Sequence, residues 1–287
     1  MRISIFAPVI SPYNDGAYLK ALAIGAEERG FHGIWLGEHV VLFDEYDAEY
    51  PYAEDGRIPV GGENGLLEPI TGLAYMAACT ERIRLGTGVC LVPQRNPVYT
   101  AKEIAAVDYL SNGRVDFGVG VGWLEEEFTA LQVPFERRGA RCREYLDVIA
   151  SLWRDDVSSF SGEFYNLPPC RQYPKPVQQP GPPIYFGGES KPALRRTADL
   201  GQGWYGFNTS VEETRDCLVR LDAMLEQRGR KREDLDIVIG PYRHKLTKDT
   251  AKEYEEAGVD TLVVMIVGRD LDEMYRWLDR FAEDYVA

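Results

Sequence analysis

The sequence predicts an α/β protein, a single (β/α)8 TIM barrel over residues 1–287 with insertions after the second and fourth strands. Two observations lead there. Short β-branched runs alternate with helical patterns eight times from end to end, and eight parallel strands with outer helices close into a barrel. The length, 287 residues, suits one barrel of about 250 residues plus insertions. An open doubly wound sheet is the alternative architecture. The chain has no fixed-period repeat and no low-complexity segment.

The first strand is ISIFAP, residues 3–8, and its helix spans 16–29, stopping at Gly30 in the usual place for a C-terminal glycine. The second strand is GIWLGEH, 33–39. Residues 40–67 carry seven acidic side chains and read as a long loop, of a length typical of functional lids. A helix over 69–79 leads to the third strand, IRLGTGVCL, 83–91. Pro97 suits a first helical turn, and that helix reaches 110. SNGR at 111–114 is a turn before the fourth strand, VDFGVGV, 115–121. Helical pieces at 124–131 and 140–154 precede an irregular excursion, 155–183, with seven prolines. The rhythm then resumes. Strands at 184–187, 203–207, 236–240 and 261–267 are followed by helices at 191–200, 211–227, 248–256 and 271–284.

Acidic residues number 46 and basic residues 32, a net charge of −14. That charge repels phosphate backbones and anionic lipid, so nucleic acid and membrane are excluded as expected partners, and a small-molecule substrate is expected instead. No run approaches about 18 consecutive apolar residues, and the first residues lack a signal-peptide pattern, so a cytoplasmic protein is expected. The five cysteines are scattered without a CxxC, which predicts reduced thiols and no metal site.

In such barrels the chemistry lies at the C-terminal strand ends. The second strand ends on Glu38-His39, one of three histidines beside a carboxylate, and imidazole exchanges protons near neutral pH. Neighbours in a strand point to opposite faces, so one of the two faces the pocket. Gly86 and Gly88 in the third strand suit either close approach of a flat ring or the taper of the barrel. The fourth strand carries Gly118, Gly120 and Gly122, but Trp123 stands where GxGxxG would need its last glycine. Gly187-Gly188-Glu189-Ser190 before a helix is the clearest anion site, with Lys191 and Arg195 spaced i, i+4 behind it and Ser190 a candidate N-cap. His32 reads as a surface residue at a turn, and His244 as a weaker candidate for the pocket. HExxH, GxSxG and GxxxxGK[ST] are absent. A barrel hydrolase would use Glu38 and Glu68 as paired carboxylates.

GIWLGEH, ERIRLGTGVCLVPQRNP, NGRVDFGVGVGWLEEEF and the GGES turn together resemble the bacterial luciferase-like superfamily over essentially the whole chain. The closest likeness is to its deazaflavin-dependent branch, which uses coenzyme F420. The resemblance implies a redox enzyme transferring a hydride between F420 and an unidentified small organic substrate. It places Glu38 and His39 as the catalytic acid–His pair, and a non-prolyl cis peptide at Gly88-Val89 against the cofactor ring. It implies cofactor contacts from Gly88, Val89, Val121, Gly122, Gly187, Gly188, Glu189 and Ser190. Trp123 and Phe43 are expected on the substrate side, and a homodimer is expected. FMN-using members place an Arg late in the fourth strand, where this chain has Val121. Sugar-phosphate dehydrogenases have Glu where Trp123 stands. An FMN-dependent luciferase-like monooxygenase is the alternative.

Overall fold

The computed structural model describes residues 1–11, 14–61 and 63–286. Gly62, within the expected lid loop, and Pro12, Tyr13 and Ala287 lie outside them. The barrel strands are β1 (Arg2–Phe6), β2 (Gly33–Leu36), β3 (Arg84–Thr87), β4 (Val115–Gly120), β5 (Ile184–Gly187), β6 (Gly203–Phe207), β7 (Asp236–Gly240) and β8 (Thr261–Met265). Every neighbouring pair is parallel. β8 returns to β1 with Ile3 opposite Leu262, and β4 meets β5 with Phe117 opposite Ile184, so the barrel is closed. The expected fold class therefore stands.

The outer helices are α1 (Gly16–Glu28), α2 (Pro69–Ala77), α3 (Pro97–Leu110), α4 (Glu125–Ala130), α5 (Arg138–Arg154), α6 (Lys191–Leu200), α7 (Val211–Glu226), α8 (Lys248–Glu256) and α9 (Leu271–Tyr285). Local chemistry sets their starts. Asn96 caps α3 ahead of Pro97, and Ser210 with Glu213 forms a capping box on α7. Strand–helix packing forms the outer core, and a second cluster of Phe6, Trp35, Tyr185, Tyr205, Val238 and Val263 fills the barrel interior. The Trp35 ring lies 5.0 Å from that of Tyr205 and 5.3 Å from that of Tyr185. A Cβ on Gly86 would lie 2.4 Å from Trp35, and one on Gly118 would lie 1.8 Å from the Thr87 carbonyl. These two glycines make room for Trp35 and for close strands, so barrel taper is the reason for them.

The expected third strand is interrupted. β3 stops at Thr87, the Gly88-Val89 peptide is cis, and Cys90–Leu91 rejoins β4 as a separate short strand. The Pro-rich excursion holds an antiparallel hairpin, Ser158–Ser161 with Asn166–Cys170, where an irregular segment was expected. Pro168 and Pro169 hid it, because proline is tolerated only in edge strands. The loop after β2 folds over the barrel mouth. Leu66 and Gly65 pair with Ile10 and Ser11, and Asp47 N–H donates to Glu126 Oε1 at 2.8 Å. All five cysteines are unpaired thiols, as expected. No helix among the described residues is long and apolar enough to cross a membrane.

Candidate active site

A cavity of about 700 Å³ opens at the C-terminal strand ends beneath the lid. It brings together Glu38, His39, Gly88, Val89, Val121, Gly122, Trp123, Gly187, Gly188, Glu189 and Ser190, the expected site residues apart from Phe43. Phe43 does not line it. The chain after His39 is pinned to α4 through Val40 N–H and Asp47 N–H, and it re-enters the cavity only at Tyr50.

The second strand stops at Leu36, short of the expected 39, and the Glu38 and His39 side chains just beyond it take different partners. His39 Nδ1 lies 3.1 Å from Glu127 Oε2. Glu127 is a fully buried side chain of α4, and it also accepts from Val40 N–H at 2.9 Å and Gln94 Nε2 at 3.4 Å. A carboxylate has no proton to give, so Nδ1–H is the donor, and Nε2 is left facing the cavity without a protein partner among the described residues. The Trp123 ring stands edge-on to the imidazole at 5.8 Å.

Glu38 is engaged away from His39. Its carboxylate accepts from Leu91 N–H and pairs with the Arg95 guanidinium, Nε at 2.7 Å. It thereby ties the end of β2 to the chain just after the Gly88-Val89 bond. Arg95 also holds Glu68 and Glu103. Burial opposes ionisation of Glu68, but bonds from Thr71 and Arg95 hold its carboxyl below the usual range. Glu38 and Glu68 are thus both engaged by the same guanidinium, which does not leave them as a free acid–base pair of the kind a hydrolase would use.

Val89 explains two further glycines. A Cβ on Gly120 would lie 2.5 Å from the Val89 side chain, and one on Gly187 would lie 3.0 Å from it. Gly188 has φ +101°, a conformation that favours glycine. Ser190 is the N-cap of α6, its hydroxyl accepting from Ala193 N–H at 3.4 Å. The Ser190 and Lys191 amides have no intrachain partner among the described residues, so donors remain at the helix start.

The cations differ from those expected. Lys191 and Arg195 are exposed and do not line the cavity, whereas Arg196 does. Arg196 has no ion-pair partner among the described residues, and burial, with the charges of Arg195 and Arg138, pushes its guanidinium down. Arg138 Nε donates to the Gly122 carbonyl at 3.0 Å, and its guanidinium stacks on Phe135 at 3.8 Å, with no carboxylate partner among the described residues. Arg138 thus supplies a cation at the end of β4, where the sequence shows Val121. Glu189 lies across the turn. It accepts from Phe207 N–H at 2.8 Å and Tyr52 Oη at 3.3 Å, and burial raises its carboxyl above the ordinary range. A second cavity of about 840 Å³ adjoins the first through Tyr52, Glu189 and Phe207 and includes Arg220, Arg243 and His244. His244 therefore belongs to this outer cavity, with Nε2 at 3.1 Å from the Asn208 carbonyl. Among the described residues no His, Cys, Asp and Glu group could hold a metal.

Sequence reasoning missed Glu127, Arg138, Arg196 and the lid tyrosines. Glu127 stands in an acidic run that reads as a solvated helix start. Its signal is position, since it shares a face with Leu124, Phe128 and Leu131. Arg195 and Arg196 flank the buried stripe of α6 on opposite sides, and periodicity alone does not say which flank meets the cavity.

The luciferase-like monooxygenase family matches residues 1–284. An uncharacterized protein of Mycobacterium tuberculosis (strain ATCC 25618 / H37Rv) is 29% identical over 276 residues, 96% of each chain. Among solved structures, monooxygenase RslO1 from Streptomyces bottropensis superposes with a TM-score of 0.78 at 23% identity, covering 100% of this chain and 99% of that one. The coenzyme F420-dependent tetrahydromethanopterin reductase of Methanopyrus kandleri gives 0.76 at 15% identity, covering 99% and 97%. These two likenesses share the barrel, and the family match over nearly every residue places the chain: it belongs to the luciferase-like monooxygenase family.

Proposed function

We propose that this chain is an oxidoreductase that holds coenzyme F420 at the barrel mouth and exchanges a hydride between it and a small organic substrate. The observation that carries the reading is His39, its Nδ1 fixed by buried Glu127 and its Nε2 directed into a cavity that ends in an anion turn. The residues fit such a cofactor. Arg196 and Arg138 are cations without carboxylate partners, and the adjoining amides and Gly188 leave space and donors for a phosphate. In the adjoining cavity, which Glu54, Glu213 and Asp216 also line, Arg220 and Arg243 lack carboxylate partners among the described residues, and these two side chains are the ones that would hold an acidic extension beyond the phosphate.

The bound deazaflavin supplies the hydride chemistry. The chain's own residues orient, exclude water and move a proton. Trp123, Tyr50 and Tyr52 close the lid side. His39 donates a proton from Nε2 when charged and accepts one there when neutral, while Glu127 fixes its orientation and stabilises the charged ring. Glu38 positions the Gly88–Leu91 segment through Leu91 N–H and touches no reacting atom.

A second reading, an FMN-dependent monooxygenase, draws support from Arg138 and Arg196, which supply the positive charge that a terminal phosphate prefers. Arg220→Ala separates the two. Loss of this outer cation weakens F420 binding severalfold and leaves FMN binding unchanged if the acidic tail lies there. Equal effects on both cofactors would sink the F420 assignment.

A further inference from the structure

The charged side chains lining the main cavity are Glu38, His39, Glu189 and Arg196. Arg196 belongs to the anion end, Glu189 is itself an acceptor for Tyr52 Oη and Phe207 N–H, and Glu38 is consumed by Arg95 and Leu91 N–H. The lid end therefore has no cation to spare. Arg57 stacks on Tyr46 at 4.6 Å and donates to its carbonyl oxygen, and Arg243 donates to the Tyr52 carbonyl oxygen at 2.9 Å. Neither lines the main cavity.

What the lid end offers is a continuous belt of rings. Trp123 meets Tyr50 at 5.2 Å, Tyr50 meets Tyr52 at 5.6 Å, and Tyr52 meets Phe207 at 4.7 Å. The belt begins beside His39 and ends against Phe6 and Tyr242. Ile10, Ile58, Leu66 and Val267 fill the remaining wall. The Tyr50 hydroxyl has no partner among the described residues, and burial pushes its pKa up to about 12, so it remains a neutral donor. Rings of this kind favour offset or edge-on aromatic partners. An anion placed there would lose its water and find no permanent counter-charge, since the His39 ring is a cation only while it holds the proton it is to donate, and the cost exceeds that of one unmet hydrogen bond.

We infer that the substrate is a neutral, largely aromatic molecule that presents one hydrogen-bond-accepting oxygen to the His39–Tyr50 side of the Trp123–Tyr50–Tyr52–Phe207 belt. The inference rests on the redox reading only for which end of the cavity the cofactor takes. Sugar phosphates and simple carboxylates are disfavoured by the same lack of a permanent counter-charge.

The test uses two probes of matched shape, 2-acetylnaphthalene and 2-naphthoate, which differ in a methyl against a carboxylate oxygen. Calorimetric titration of the full chain, without cofactor and again with F420 added, reads their binding apart from any turnover. The ketone is expected to bind at least about tenfold tighter than the acid, given the cost of burying an unpaired charge. F420 should not displace it, and Phe207→Ala or Tyr50→Phe should weaken it severalfold. Equal or tighter binding of naphthoate, no binding of the ketone, or displacement of the ketone by F420 would each overturn the inference. If the probes behave as expected while neither F420 nor FMN binds, the redox reading has failed and the neutral aromatic pocket has not.

Discussion

His39 and Glu127 are 88 residues apart in sequence, yet their side chains meet at 3.1 Å, the carboxylate wholly buried and the ring at the cavity wall. The contact fixes which imidazole nitrogen faces the cavity. On the proposed reading, proton transfer here depends on two residues, His39 at the reacting atoms and Glu127 positioning it.

His39→Ala removes the proton-exchanging ring. The expected result is a kcat lower by about 10²-fold or more with a verified substrate, the usual scale for a general acid or base. The cofactor dissociation constant should change little. An unaffected kcat would remove His39 from the chemistry.

Glu127→Ala leaves His39 in place but unoriented, and a fall in kcat of about tenfold to 10²-fold is expected, part of the contribution of the acid–base group it supports. KM and cofactor affinity should hold, and Glu127→Asp should recover part of the rate. Equal losses in kcat and in folding stability, with no recovery by Asp, would mark Glu127 as purely structural.

Glu38→Ala has a different signature. It strips a buried carboxylate from Arg95, which keeps Glu68 and Glu103, and an acceptor from Leu91 N–H, so a cost of about 1–3 kcal/mol is expected, the scale of an unmet buried polar group. Urea unfolding should show the loss directly. A variant as stable as the wild type, but inactive, would restore Glu38 to the catalytic role expected from sequence.

Much of this was legible before the structure. All eight strands were, because each is a short β-branched or aromatic run bounded by glycine, proline or a polar turn. So was the association of Glu38, His39, Gly88, Gly122 and the GGES turn, because a closed barrel brings every C-terminal strand end to one mouth. What escaped were contacts made by helices across that mouth. Glu127, Arg138 and Arg196 depend on how α4, α5 and α6 rotate, which neither local propensity nor strand-end position specifies. Phe43 lies off the cavity lining for a related reason: nearness to His39 in sequence says nothing about the path of a long loop.

His32, expected as a surface residue, is half-buried, and burial together with the charges of Arg2 and Arg84 lowers its pKa from 6.5 to about 4. The unfolded chain takes up the proton near pH 6.5 and the folded chain only near 4. The stabilising contribution is therefore complete above pH 6.5 and is lost as pH falls toward 4. Partial solvent exposure reduces it to on the order of 2 kcal/mol. His32→Asn should flatten the stability profile between pH 7 and pH 4.5 by that amount, as read by thermal or urea unfolding. Parallel profiles for the two proteins would show that His32 titrates alike in both states.

The most direct measurement is a side-by-side titration of F420 and FMN, read by ring fluorescence, on the wild-type chain and on Arg196→Ala. F420 is expected to bind more tightly than FMN. Arg196→Ala should weaken F420 binding by roughly tenfold to a hundredfold, the worth of a charge-assisted hydrogen bond. Tighter binding of FMN would transfer the assignment to the monooxygenase reading. Failure of both cofactors to bind, or binding indifferent to Arg196, would contradict a cofactor-dependent redox site at this barrel mouth.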